Sequence, residues 1–318
     1  MTVERAVTAV IPTHDRPAML SATLGAVLRQ RDVDLEVVVV DDGSTRPVQR
    51  VVDAAGDERV RVVRHDRGRG VVAARNAGVA VASGAWVAFC DDDDLWAPDK
   101  LARQLAAAEQ SGHRWVYTGS VDIDLAGRVI GGGPPVPPEE ATAALHRFNA
   151  ISGGGSSVVV AADLLADAGG FDSAFQGTHL EDWELWLRLA SRALPDWVPA
   201  PLVGYRVHPA NASLDVASLR AGLDRLQARH GIRPDRGAFE RELGFSALRS
   251  GQRPAAMGAF ARAAVRGSAS GLLRDLAGHA RHRLAARATR TMPATPVEQA
   301  WRSQAQRWLD GLTGQQSD

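Results

Sequence analysis

Leu35-Glu36-Val37-Val38-Val39-Val40-Asp41-Asp42-Gly43-Ser44 decides how this chain folds. The run to Val40 is aliphatic and mostly β-branched, broken only by Glu36, and reads as a strand covered on both faces. Asp-Asp-Gly-Ser then stops it, because these residues favour a tight turn. The same grammar recurs on either side. Val7 to Ile11 is a buried-strand candidate ended by Pro12, and Trp86 to Cys90 is another that runs straight into Asp91-Asp92-Asp93-Asp94. Val60 to Val63 is a shorter strand between them. Helical stretches fill the gaps at Ala18 to Arg29, Val48 to Ala55 and Val71 to Ala82, the first with Leu20, Leu24, Val27 and Leu28 on one face. This alternation predicts an α/β fold, a mostly parallel Rossmann-like sheet with helices on both faces. Ligands of such sheets bind beyond the carboxyl ends of the strands. Each main strand here ends in polar groups at that edge: Thr13 to Arg16, Asp41 to Ser44, and Asp91 to Asp94.

Further along, Gly131 to Glu140 (GGGPPVPPEE) reads as a loop. Ser156 to Val160 is a strand candidate, Ala162 to Ala168 a short helix, and Glu181 to Arg192 a strong helix with Trp183, Trp186, Leu187 and Ala190 as its buried stripe. From about Ser218 the pattern is helical, which divides the chain into a catalytic region at 1–215 and a C-terminal helical region at 216–318. No internal repeat is evident.

Composition narrows the options. The 318 residues carry 37 basic and 37 acidic side chains, so no global field draws in nucleic acid. Lys100 is the only lysine, and the arginine-rich remainder weakens any argument from a single guanidinium. Trp96-Ala97-Pro98-Asp99-Lys100-Leu101 reads as a helix start with the lysine solvated. A single cysteine, Cys90, rules out a disulfide framework or a cysteine zinc site and reads as a small core residue. The opening residues lack a secretory pattern, and apolar runs fall short of the ~18 residues a membrane helix needs. A cytoplasmic protein is expected, which makes the acceptor pattern Asn211-Ala212-Ser213 incidental.

Four adjacent carboxylates repel one another and are best tolerated beside a cation or hydrogen-bond donors. Hard oxygen ligands suit Mg2+ or Mn2+, which bind through few carboxylates plus substrate phosphates. An acidic turn capping the next helix is the plainer reading of the run taken alone. Its company alters the balance. Val10-Ile11-Pro12-Thr13-His14-Asp15-Arg16, Val39 to Ser44, Ala74-Arg75-Asn76-Ala77-Gly78, Gly84 to Asp91 and Glu181-Asp182-Trp183-Glu184-Leu185-Trp186 occur in that order.

Together these segments resemble the family 2 inverting glycosyltransferases, which have the GT-A fold, across about residues 5 to 210. The resemblance implies transfer of a sugar from a nucleoside-diphosphate sugar, most often a uridine donor, to the free hydroxyl of a glycan, glycolipid or small molecule. It places the donor against Thr13, Asp15, Arg16, Asp42, Asp91, Asp92, Glu181 and Arg206, with a contact to the acceptor as the other reading of Glu181. Asp93 matches the metal-binding end of a D-x-D motif. His208, in Tyr205-Arg206-Val207-His208-Pro209, reads equally as a metal or phosphate ligand and as a structural histidine. Asp182 matches the general base, although by periodicity alone it is a helix cap. Asp41 reads as a structural turn acid, Arg75 as a helix-face contact, and Gly153 to Ser157 as the region between nucleotide and acceptor.

Competing classes fit less well. A nucleotidyltransferase is expected to carry a glycine-rich basic loop where Pro12 to Arg16 stands. Gly68-Arg69-Gly70-Val71-Val72-Ala73 resembles a dinucleotide fingerprint without its supporting acid. A sugar or nucleotide binder without turnover has no use for a base. Between Phe245 and Met292 nine arginines stand against one acid, Asp275. That segment reads either as basic helices docking peripherally at an anionic membrane or as a helical pair packed on the catalytic region.

Overall fold

The computed structural model describes residues 6–208, 215–249, 252–268 and 295–313. Four strands build one half of the sheet: β1 (Ala6–Thr13), β2 (Asp34–Asp41), β3 (Val60–Arg64) and β4 (Trp86–Phe89). All their pairings are parallel, in the order β3-β2-β1-β4. Helices α1 (Pro17–Val27), α2 (Gln49–Ala55) and α3 (Val71–Val81) supply the crossovers. Gly78 lets α3 lie directly on the sheet, because any methyl there would overlap Val10 and crowd Val40. Val7, Val10, Ile11 and Val37 to Val40 are buried, as aliphatic strands between helical layers must be.

The other half is less regular. The short β5 (Leu95–Trp96) precedes α4 (Lys100–Ser111), β6 (Trp115–Ile123) and α5 (Pro138–Leu145). There follow β7 (Val158–Ala161), α6 (Ala162–Ala168), α7 (Glu181–Ala190) and β8 (Asp196–Arg206). The sheet continues β4-β7-β6-β8-β5, with β7 antiparallel to both neighbours and β8 parallel to β6. Residues 131–140 are not loop throughout, since Pro138 opens α5, where a proline suits the first helical turn. Ser156 and Ser157 belong to a 3-10 turn ahead of β7.

Beyond β8, α8 (Val216–His230), α9 (Arg236–Arg249) and α10 (Arg253–Ala263) pack beside the sheet domain. Arg220, Arg262 and Arg266 converge on the buried Glu240, so two of the nine arginines in the basic segment are matched by an acid outside it. Residues 250–251 and 269–292 of that segment, and Asn211 to Ser213, lie outside the described residues. Helix α11 (Pro296–Thr313) then returns to the sheet. Trp301 Nε1 donates to Ser120 O at 3.2 Å and Trp308 Nε1 to Pro201 O at 2.8 Å. Trp301, Ala305, Leu309 and Leu312 form a second core with Leu95, Val121 and Ile123. Gly119 makes room for the Trp301 ring. Among the described residues no helix is long and apolar enough to cross a membrane.

Lys100 departs from expectation. It is fully buried rather than solvated, with Nζ 4.0 Å from the centre of the Trp96 ring and no hydrogen-bond acceptor. The aromatic face replaces part of the lost hydration. Burial lowers the lysine pKa from 10.5 to about 7. Between those values the unfolded chain binds more protons than the folded one, so stability rises with pH across that window. Denaturant titrations from pH 7 to 9 should therefore show wild type gaining stability relative to Lys100→Met, by at most about 1.4 kcal/mol per pH unit. Parallel curves for the two proteins would show that the buried lysine stays charged.

Candidate active site

Register brings the polar strand ends together. Thr13 pairs with Asp41 across β1 and β2, and Val10 pairs with Phe89 across β1 and β4. The chain continues this alignment past the strands: Asp42 N donates to Thr13 O at 2.9 Å, and Cys90 N to Val10 O at 3.0 Å. Because β7 runs antiparallel to β4, the turn before it also arrives at this edge, where Asp91 N donates to Ser156 Oγ at 3.0 Å. A cavity of about 990 Å3 opens there, lined among others by Thr13, Arg16, Asp42, Asp91, Asp92, Asp93, Glu181 and Asp182.

The acid run is mostly buried, with Asp92 5%, Asp93 7% and Asp94 0% exposed. Donors from distant elements accommodate it. Thr13 Oγ1 donates to Asp92 Oδ2 at 2.6 Å, and Arg16 Nη1 lies 3.2 Å from Asp92 Oδ1 and 2.8 Å from Asp93 Oδ2. His208 Nε2 shares a hydrogen bond of 2.9 Å with the same Asp93 oxygen. Arg206 binds the backbone of the run: Nε donates to Asp93 O at 2.7 Å, and its amide donates to Asp94 Oδ1 at 3.1 Å. Burial pushes Asp92 up to about 7, against the pull of Thr13 and Arg16. Asp94 is raised as well, by burial and then by Asp93. Among the described residues no three His, Cys, Asp or Glu side chains are grouped to hold a metal. Asp93 and His208 are the convergent pair.

At the other end of the cavity, Asp42 accepts from Arg69 N, from Gly70 N at 2.7 Å and from His65 at 2.6 Å. Its carboxylate thereby pins residues 65–70 over the strand end. These bonds outweigh burial and lower its pKa. Asp41 is the turn acid, accepting from Ser44 N at 2.9 Å, while Gly43 takes the φ of +71° that the turn requires.

Asp182 and Glu181 open α7, whose seat is fixed by Trp186 stacked on Trp115 with ring centroids 6.1 Å apart. Asn149 Nδ2 donates to Asp182 Oδ2 at 3.3 Å. Burial, then the neighbouring Glu181, raises the Asp182 pKa above the ordinary 3.8. Arg75 Nη1 binds Glu181 Oε1 at 2.9 Å, and its Nη2 binds Asp91 Oδ1 at 2.6 Å.

Ten of the eleven residues singled out from sequence thus converge on the cavity or on the acid run beneath it. Asp15 stands apart: it is exposed, at φ +53°, and holds Thr45 through N at 2.7 Å and Oγ1 at 3.0 Å. Arg206 reaches the acid run but not the cavity lining, its guanidinium engaged with the Asp93 and Leu125 carbonyls. Asn149, Gln176 and His179 line the cavity from loops without a local pattern in the sequence, and His14 and Tyr205 line it from within segments that were marked for their neighbours. Arg75, expected as a helix-face contact, sits inside the site. Its signal was present in the Ala-Arg-Asn segment.

The site joins a nucleotide-type strand edge to a second acidic centre, the layout of a glycosyltransferase. Residues 8–142 match the family described as Glycosyl transferase family 2. Succinoglycan biosynthesis protein ExoO of Rhizobium meliloti is 37% identical over 124 residues, 39% of this chain and 36% of that protein. The Escherichia coli UDP-Glc:alpha-D-GlcNAc-diphosphoundecaprenol beta-1,3-glucosyltransferase WfgD is 27% identical over 183 residues, 58% of this chain and 69% of that enzyme. The fold is similar to mannosyltransferase PcManGT from Pyrobaculum calidifontis, solved in complex with GDP-Man and Mn2+. The TM-score is 0.57 and the identity 20%, over 99% of this chain and 87% of that one. The chain thus spans about a third of the first relative and just over two thirds of the second. Residues 8–142 thus form a glycosyltransferase family 2 domain, and the fold is GT-A.

The Asp42 bonds predict that Asp42→Ala leaves two backbone amides without their acceptor, costing about 1–3 kcal/mol for each one that stays buried. Denaturation midpoints measure the cost, and proteolysis within residues 65–70 should accelerate. An unchanged midpoint and cleavage rate would show that the loop is held by other contacts.

Proposed function

We propose that the chain transfers a sugar from a nucleoside-diphosphate sugar to an acceptor hydroxyl with inversion, using Asp182 as general base. The observation that carries this reading is that one cavity holds both the acid run Asp91–Asp93 and the Asp182 carboxylate. A hydroxyl is a poor nucleophile at neutral pH, so a carboxylate has to take its proton as the new bond forms. Burial keeps Asp182 basic enough for that task while its Oδ1 and Oδ2 stay held by Trp183 N and Asn149. Attack from the Asp182 side on a donor lying against the acid run inverts the anomeric carbon and needs no covalent intermediate.

The donor nucleoside is read against Thr13 and Asp42. The Asp42 carboxylate already takes two bonds on each oxygen, from His65, Arg69 and Gly70, so a base N–H would have to share or displace one of them. A uracil imide N–H as that donor is in keeping with the UDP-Glc in the name of the E. coli relative. That relative's name also makes a lipid-linked saccharide one acceptor to test. Arg16, now on Asp92 and Asp93, would turn to the diphosphate.

The residues present fit a divalent ion. Asp93 and His208 would hold Mg2+ or Mn2+ together with diphosphate oxygens, since these ions need few protein ligands. When bound, such an ion offsets the charge that gathers on the leaving diphosphate. Residues 1–215 form the catalytic unit in this reading, with α11 bracing its sheet.

Purified protein incubated with UDP-, GDP- and dTDP-sugars, with Mn2+, Mg2+ or EDTA, tests the class. One donor is expected to be consumed with metal and spared with EDTA. Turnover that ignores EDTA would remove the metal from the scheme. Asp182→Asn should lower kcat at least about a hundredfold while donor affinity holds. In wild type, kcat/KM should fall as acidification protonates the base, with a midpoint above 3.8. An unimpaired Asp182→Asn enzyme would sink the base assignment.

A further inference from the structure

Arg75 lies 3% exposed between two carboxylates that belong to different halves of the site. Asp91 follows β4 on the donor side, and Glu181 opens α7 beside Asp182. The guanidinium reaches both, Nη2 to Asp91 Oδ1 at 2.6 Å and Nη1 to Glu181 Oε1 at 2.9 Å. Its carbon sits 5.1 Å from the centre of the Phe171 ring. Asn76, next in the chain, fixes that ring's backbone from both sides, donating to Phe171 O at 2.8 Å and accepting from Phe171 N at 2.9 Å. The glycine-rich turn closes the arrangement: a methyl on Gly155 would come 3.4 Å from Arg75 Nη2, and one on Gly154 would come 3.3 Å from Asp182 Oδ2. A planar fork spanning two acids is a geometry that lysine does not reproduce.

We propose that Arg75 is the positioning residue of the general base, clamping the first turn of α7 to the donor-side carboxylate so that Asp182 faces the sugar it must see attacked. The proposal rests on the reading of Asp182 as base. Glu181 on its own helix and Arg75 from α3 are the charged groups acting on Asp182, the neutral Asn149 donates to it, and His179 and Asp91 line the same cavity. Arg75 brings the one permanent positive charge of this group. Glu181 brings a negative charge against Asp182, and the clamp holds that charge on the guanidinium. Burial alone would weaken the Arg75 charge, but Asp91 and Glu181 outweigh it and raise its pKa.

The test is a carboxyl titration of the full chain carrying 13C-labelled aspartate, with the Asp182 resonance assigned by its loss in Asp182→Asn. In Arg75→Met the Asp182 midpoint should move up by about one unit or more, and in Glu181→Gln it should move down. Arg75→Lys should keep the midpoint within about half a unit but lose kcat severalfold on the donor found above, because an ammonium cannot span both acids. A general loss of structure would not shift two variants in opposite directions. If Arg75→Met does not fold, Glu181→Gln and Arg75→Lys still decide. An unmoved or upward midpoint in Glu181→Gln, or full kcat in Arg75→Lys, overturns the proposal. If the midpoints move as expected while Asp182→Asn still turns over donor, the base reading fails and the clamp stands.

Discussion

Carboxylates packed side by side under a protein surface repel one another and forgo hydration, and Asp92, Asp93 and Asp94 are held under those conditions. The fold answers with groups that arrive from far along the chain. Thr13 and Arg16 come from the end of β1, and Arg206 and His208 from the end of β8. Arg75 comes from α3 for the adjoining Asp91. Each of these elements has to be in register for its donor to reach, so the acid run works as a fastener for the whole carboxyl edge of the sheet. The parallel pairing of β1, β2 and β4 aligns the strand ends, and the acids hold the loops that follow them.

This dependence also divides what was legible in the sequence from what was not. Strands β1 to β4 were legible because a parallel sheet covered on both faces leaves continuous aliphatic runs, and the acids that stop those runs are local in sequence. Strands β6 and β8 were not singled out. Trp115 to Ile123 mixes polar and small residues, and β8 is broken by Pro199 and Pro201 near a bulged pairing with β6. Their pairing is set by tertiary contact, with Gly119 accepting Trp301 from a helix just over 180 residues later.

The site shows the same split. Asp42, the acid run and Asp182 stood out because each is an acid at a strand end or a helix start. Arg75 did not, since thirty-six arginines make any one of them inconspicuous and its value comes from partners 16 and 106 residues away. Asp15 misled for the opposite reason. Its place in a polar strand-end loop suggested a ligand, but its left-handed backbone turns the carboxylate outward onto Thr45. Lys100 misled because a lysine at a helix start is ordinarily solvated, whereas here the first turn of α4 points into the core, where the Trp96 ring receives the ammonium.

That buried lysine has a consequence for how the molecule meets chemistry from outside. Its amino group is the only side-chain amine in the sequence, and it lies wholly inside. The described surface therefore carries its positive charge on guanidinium and imidazole groups, which activated esters, aldehydes and acyl donors modify poorly at neutral pH. Folded, the chain offers such reagents no lysine at all. Side-chain acylation then becomes a clock for opening of the core around α4, with each modified molecule recording that Lys100 was once exposed.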